Sequence, residues 1–167
     1  MIKINIPKII DRLLNKNTHL YQDEKKKRYD RLYMDLAKRI AKESFCERMQ
    51  AGAIVVKDDN IVSFGFNGMP SGMENGCEDE TNTTKPEVLH AEENLFLKLA
   101  RSNESCEGAI IYITANPCIK CARMIYQSKI AEVYYEKDYR LDEGTKFLID
   151  RGVLVHKMKE NTNNEVG

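Results

Sequence analysis

The spacing of apolar positions changes along the chain, and the changes mark the elements. Leu32, Tyr33, Leu36, Ala37, Ile40 and Ala41 recur at helical intervals and form one stripe, which predicts a helix ending around 42–45. Ala53-Ile54-Val55-Val56 is a short continuous apolar run, and Ile61-Val62-Ser63-Phe64-Gly65-Phe66 is a second. The turn residues Lys57-Asp58-Asp59-Asn60 lie between them, so the two runs predict a β-hairpin. Asn67-Gly68-Met69-Pro70-Ser71-Gly72 is turn chemistry, and 73–87 is polar and acidic, an irregular surface loop. From His90 onward the pattern alternates: a helix to about 102, a strand at 109–114, a helix at 118–128, a strand at 130–135, a helix at 141–149 and a strand at 153–156. A helix, a hairpin and then regular alternation predict an α/β fold, a three-layer α/β/α sandwich around a five-stranded mixed sheet.

The two ends do not fit that pattern. Residues 1–30 read as a polar, basic extension with eight basic and four acidic residues, and the run Lys25-Lys26-Lys27-Arg28 reads as a solvated helix face. Residues 31–158 read as the globular domain, and 159–167 as a flexible tail. The whole chain has 26 basic and 26 acidic residues and no tryptophan, so it does not advertise a general affinity for nucleic acid. No apolar run approaches the roughly 18 residues of a membrane span, and the first residues lack a secretory h-region. A cytoplasmic protein is expected. Five cysteines, an odd number with two of them in a C-x-x-C, point to metal or free thiols rather than a disulfide framework. On that reading Cys46 and Cys106 are buried or inert thiols, Cys77 lies free in the loop, and His19 and His156 are structural.

The candidate chemistry lies in two short pieces. His90-Ala91-Glu92 opens one predicted helix, and Pro117-Cys118-Ile119-Lys120-Cys121 opens the next, with one strand between them. His90, Cys118 and Cys121 supply three ligands, the count of a catalytic zinc site that leaves its fourth position to water. Both pieces fall at helix N-termini, whose positive dipole ends suit thiolates. Glu92 sits where it can reach that water without ligating the metal, and so qualifies as a general acid/base. H-x-E followed by P-C-x-x-C is the signature of the zinc-dependent nucleobase deaminases.

Further motifs narrow the resemblance. Ser44-Phe45-Cys46-Glu47-Arg48 with Gly52-Ala53, Gly65-Phe66-Asn67-Gly68-Met69-Pro70-Ser71-Gly72, His90-Ala91-Glu92-Glu93-Asn94, and Tyr112-Ile113-Thr114 through Cys121 together resemble the deoxycytidylate (dCMP) deaminase family of the cytidine deaminase-like superfamily. The resemblance covers roughly residues 30–157. It implies zinc-dependent hydrolytic deamination of dCMP to dUMP and ammonia, with Glu92 moving a proton from water to N3 of cytosine, and a supply of dUMP for thymidylate synthesis. It implies that Asn94, Arg48, Ser44, Tyr139 and Asn67 bind substrate, Arg48 and Tyr139 at its 5′-phosphate. It implies an effector site around Gly65, Phe66, Asn67 and Gly68 for dCTP and dTTP, with a magnesium ion beside the effector, in a homo-oligomer, often a hexamer. Phe66 stands where the family usually has a tyrosine, which puts the effector contacts in question. Many relatives carry a second, structural zinc; the loop before His90 has Cys77 and no other Cys or His, so none is expected here. Two alternatives stand beside this reading. One is a deaminase of another cytosine or adenine substrate, a nucleoside or RNA, against which the net negative charge of the core domain speaks. The other is a zinc or nucleotide-binding module without turnover, in which Glu92 has no role.

Overall fold

The computed structural model describes residues 6–139 and 141–160, with side chains from residue 23 onward. The predicted tail lies outside the described residues from 161, as does the side chain of His19. The chain divides into two units, residues 1–33 and 34–167. Helix α1 (Ile6–Ala41) begins far upstream of the apolar stripe that predicts it. Upstream of the stripe, Lys26–Asp30 and Lys27–Glu24 pair along the helix at 3.4 and 3.1 Å. The exposed Lys27–Glu24 pair contributes only about 0.5 kcal/mol, whereas Asp30 of the other pair is buried. Lys25, Lys26, Lys27 and Arg28 are all exposed, as a solvated face requires.

In the second unit five strands form one mixed sheet in the order β2-β1-β3-β4-β5: β1 (Gly52–Lys57), β2 (Asn60–Phe66), β3 (Ile110–Ala115), β4 (Glu132–Lys137) and β5 (Leu154–Lys157). β1 runs antiparallel to both β2 and β3, while β3, β4 and β5 are parallel. The parallel pairs require crossovers, and helices α3 (Ile119–Gln127) and α4 (Glu143–Ile149) provide them; α2 (Ala91–Leu99) precedes β3.

Alternation along the strands separates two faces. On one face Ala53, Val55, Ile111, Ile113 and Val133 pack with Ala91, Leu95, Ala122, Ile125 and Leu148 of the three short helices into the main core. Leu95 and Ile125 are fully buried, each contributing about 2 kcal/mol by removal from water. On the other face Tyr112, Tyr134 and His156 occupy one cross-strand row, with rings stacked at 5.1 and 4.5 Å. His156 has the structural role expected of it. Lys38, near the end of α1, reaches the buried Glu136 on this same side at 3.0 Å.

Two glycines set how closely the layers approach. A Cβ on Gly65 would lie 2.2 Å from the Ala91 carbonyl oxygen, so β2 touches the first turn of α2 backbone to backbone. Ser63 ties the same pair together, its hydroxyl donating to the Leu95 carbonyl at 2.9 Å. A Cβ on Gly144 would lie 2.0 Å from the Pro117 carbonyl oxygen, which seats α4 on the turn that opens α3.

The cysteine reading needs one correction. Cys46 and Cys77, 31 residues apart, form a disulfide, so Cys46 is no free thiol and the loop carrying Cys77 is tied down. An odd cysteine total hid the pair, because the leftover thiols are those of the C-x-x-C and of Cys106. Cys106 is a buried free thiol, as expected. The 73–89 loop has internal order as well: Asp79 accepts from the Thr81 and Thr83 amides at 2.9 Å each, and Gly68 and Leu89 form a β-bridge.

Candidate metal centre and active-site cleft

The first donor is placed by a helix start. Glu93, in the first turn of α2, accepts the His90 backbone N–H at 2.7 Å and fixes the entry of the chain. The other two come from one turn of α3. Cys118 is its N-cap, with its sulfur 3.5 Å from the Cys121 N–H, and Pro117 before it is fully buried. The contact between α2 and α3 brings the two helix starts together. His90 Nδ1 then lies 3.6 Å from Cys118 Sγ and 3.5 Å from Cys121 Sγ.

These separations test whether the residues suit zinc. With Zn–N near 2.1 Å and Zn–S near 2.3 Å, a tetrahedral N···S edge is about 3.6 Å. The observed distances match that edge, the three donor atoms lie within 4.8 Å of one another, and the set is the one a catalytic zinc prefers. The cluster fits the metal. Cys118 is drawn down to about 3, chiefly by the hydrogen bond from Cys121, while Cys121 is pushed well up as the donor of that bond and by burial.

Glu92 stands beside this cluster and is 7% exposed. Burial pushes its carboxyl up to about 7, against the lowering pull of its own backbone amide and of His90. It lines, with His90 and Cys118, a cleft of about 230 Å³. Arg48, Asn67, Glu78, Thr84, Asn116 and Tyr139 are also in its wall.

The predicted substrate residues divide into two sets. Arg48 and Tyr139 line the cleft. Arg48 is held by the 73–89 loop: Glu78 accepts the Glu47 and Arg48 amides at 3.3 Å each, and Thr84 accepts from Arg48 Nη1 at 3.4 Å. Asn67 also lines the cleft, but its amide is engaged with backbone, accepting from the Ala51 N–H and donating to the Met49 carbonyl at 2.7 Å each. Asn94 and Ser44 are outside the lining. The Asn94 amide donates to the Phe66 carbonyl and the Ser44 hydroxyl to the Asn67 carbonyl, both at 2.7 Å. Of the predicted effector residues, Gly65 is taken up by packing against α2, Gly68 by its bridge to Leu89, and Phe66 lies 5.5 Å from the Lys98 ammonium. Sequence reasoning missed Glu78, Thr84 and Asn116. The acidic loop carried a signal for the first, but nothing in the spacing singled out the other two.

A family described as the cytidine and deoxycytidylate deaminase zinc-binding region matches residues 27–137. The chain belongs to that family. It is 32% identical over 139 residues to the deoxycytidylate deaminase of Saccharomyces cerevisiae, a match over 77% of this chain and 44% of the yeast protein; it thus spans less than half of that relative's length. It is 33% identical over 123 residues to the human deoxycytidylate deaminase, covering 68% of each. Among solved structures, the dCMP deaminase of cyanophage S-TIM5, crystallised with dCMP and dUMP, superposes with a TM-score of 0.77 at 43% identity, over 78% of this chain and 97% of the phage chain. The described fold and the His/Cys/Cys cluster are those the family resemblance implies. Among the described residues no helix is long and apolar enough to cross a membrane.

Proposed function

We propose that this chain is a zinc-dependent dCMP deaminase, converting dCMP and water to dUMP and ammonia. The observation that carries the reading is Glu92, a buried carboxyl beside three convergent metal donors at a cleft that also holds Arg48 and Tyr139. The likeness to the phage enzyme crystallised with dCMP and dUMP supports the choice of substrate.

A zinc ion held by His90, Cys118 and Cys121 supplies Lewis acidity that makes water a nucleophile near neutral pH. Glu92 carries the protons. Its carboxylate accepts one from the attacking water, passes it to N3 of the cytosine ring, and helps protonate the amine that leaves. The C4–N bond breaks, C4 keeps the water oxygen as a carbonyl, and ammonia departs. Buried beside the three metal donors, the Glu92 carboxyl is placed to take a proton from the water and to give it up to the ring. Arg48 offers a charge-assisted fork to the 5′-phosphate and Tyr139 a hydroxyl. Asn94 and Ser44 act at one remove, by bracing the Phe66 and Asn67 carbonyls where the wall of the cleft begins.

The proposal extends to regulation. The Gly65-Phe66-Asn67-Gly68 turn is the candidate site for dCTP and dTTP, with magnesium, in a homo-oligomer such as a hexamer. Support for this comes from the motif resemblance alone, and Phe66 lacks the hydroxyl usual at its place. The proposal includes a cytoplasmic setting, and the thiol state of Cys46 and Cys77 is a direct check on it, since disulfides are rare in the cytosol.

The test is to incubate the zinc-loaded protein with dCMP, deoxycytidine, cytidine and dCTP and follow ammonia release, with and without dCTP and dTTP as effectors. Turnover of dCMP far above that of deoxycytidine, cytidine and dCTP supports the reading. No turnover of any substrate with zinc bound sinks it.

A further inference from the structure

Asn116 is one of the cleft residues that no motif singles out. It is 6% exposed and grips one passing segment through three hydrogen bonds. Its backbone N–H donates to the Lys137 carbonyl at 2.9 Å. Its side-chain Oδ1 accepts the Tyr139 backbone N–H, and its Nδ2 donates to the Leu141 carbonyl at 2.9 Å. Residues 137, 139 and 141 are spaced as alternate partners along a strand.

The reason lies at the end of β3. Ala115 opposite Lys137 is the last pair of the parallel ladder. The chain cannot extend that ladder, because Pro117 has no N–H and Cys118 already caps α3. The side-chain amide of asparagine carries both a donor and an acceptor, like a peptide group. Asn116 thus substitutes for the strand that stops, and it carries the sheet pattern out to Tyr139 and Leu141. The same turn supplies the metal ligand Cys118 two residues later. A metal donor and a residue of the cleft wall are therefore placed by one short piece of chain.

We infer that Asn116 is a positioning residue, which sets Tyr139 in the cleft wall and thereby sets the affinity for a nucleoside monophosphate. The inference rests on the nucleotide reading proposed above, but it concerns binding rather than chemistry. Losing the amide leaves the Tyr139 N–H and the Leu141 carbonyl to find other partners, and Tyr139 loses its hold.

The test compares the zinc-loaded wild type, Asn116→Ala, Tyr139→Ala and the double variant. It uses steady-state kinetics on dCMP and deoxycytidine, and dUMP affinity by calorimetry. Zinc content and circular dichroism report the fold, and Asn116→Ser, which keeps one hydrogen-bonding group, serves if the alanine variant does not fold. Asn116→Ala should raise KM for dCMP and Kd for dUMP by about tenfold, with kcat within about threefold and little change in kcat/KM for deoxycytidine. Asn116→Ser should fall between wild type and that value. In the Tyr139→Ala background the further loss should be under about twofold, because the two residues act as one unit. An unchanged KM, an equal fall in kcat for both substrates, or losses that multiply in the double variant overturns the inference. If the wild type binds dUMP with this dependence yet releases no ammonia from dCMP, the deaminase reading falls while Asn116 keeps its role. If the wild type binds no dUMP, the Asn116 inference falls.

Discussion

The metal cradle and the outer wall of the same cleft are built in opposite ways. His90, Glu92, Cys118 and Cys121 stand on the first turns of two helices, and those helices are seated on the sheet by backbone contact and core packing. Arg48 and Tyr139 stand on connecting segments, held by side chains far away in sequence: Glu78, Thr84 and the Cys46–Cys77 disulfide for one, Asn116 for the other. The chemistry is therefore as rigid as the fold, whereas recognition is only as firm as a few hydrogen bonds. Changes in the cradle should act on kcat and on metal, and changes in the wall on KM.

The largest effect belongs to the cradle. Glu92→Gln should lower kcat by about 10²- to 10⁴-fold while zinc content stays at the wild-type level, measured by deamination kinetics and metal analysis on the same sample. Cys118→Ala should instead lose the metal. If Glu92→Gln also loses zinc, the separation of ligand from proton carrier is wrong.

The same carboxyl predicts a pH effect on the metal-free protein. Its pKa is raised from 4.5 unfolded to about 7 folded, so between these values the folded state holds a proton that the unfolded state gives up. Stability from this group is complete below the lower value, falls as pH rises toward the upper one, and stays low beyond it. Metal-free Glu92→Gln should then exceed metal-free wild type by about 3 kcal/mol near pH 8, with the gap closing toward pH 4.5, in urea unfolding. A gap that does not change with pH contradicts the burial argument.

Next comes the seat of α2. Gly65→Ala drives a Cβ to 2.2 Å from the Ala91 carbonyl, and the helix start that carries His90 and Glu92 must shift. A loss of about 2 kcal/mol in chemical unfolding, together with weaker zinc retention, is expected. In the wall, Arg48→Ala should raise KM for dCMP by about tenfold with little change in kcat. Reducing the Cys46–Cys77 disulfide should have the smallest effect, about a two- to threefold rise in KM, since Glu78 and Thr84 still hold the Arg48 segment. A kcat effect from either would blur the contrast between cradle and wall.

The contrast also explains what was legible in the sequence. The cradle was readable because its parts are local: a histidine and a C-x-x-C at helix starts, separated by one strand, need no long-range information. The sheet was readable for the same reason, since short apolar runs between turn residues determined its strands to within a few positions. α1 extends much further upstream than its apolar stripe, and the Lys26–Asp30 and Lys27–Glu24 pairs lie along that extension, where no apolar periodicity marks it. The disulfide was hidden by a separation of 31 residues and an odd cysteine count. Asn94 shows the limit of the helical-face argument. It does lie one turn from His90, but the β2 backbone runs close enough to take its amide at the Phe66 carbonyl. Asn116 reads as an ordinary residue before Pro117 until Tyr139 and Leu141 are brought beside it.

The central claim is that this cradle adds water to C4 of dCMP and expels ammonia. The most direct measurement is deamination of dCMP by the zinc-loaded protein in ¹⁸O-enriched water, with mass analysis of the nucleotide product. The account predicts dUMP with heavy oxygen in its uracil ring and stoichiometric ammonia, both lost in Glu92→Gln. Unlabelled dUMP, or dCMP recovered intact with zinc bound, would contradict it.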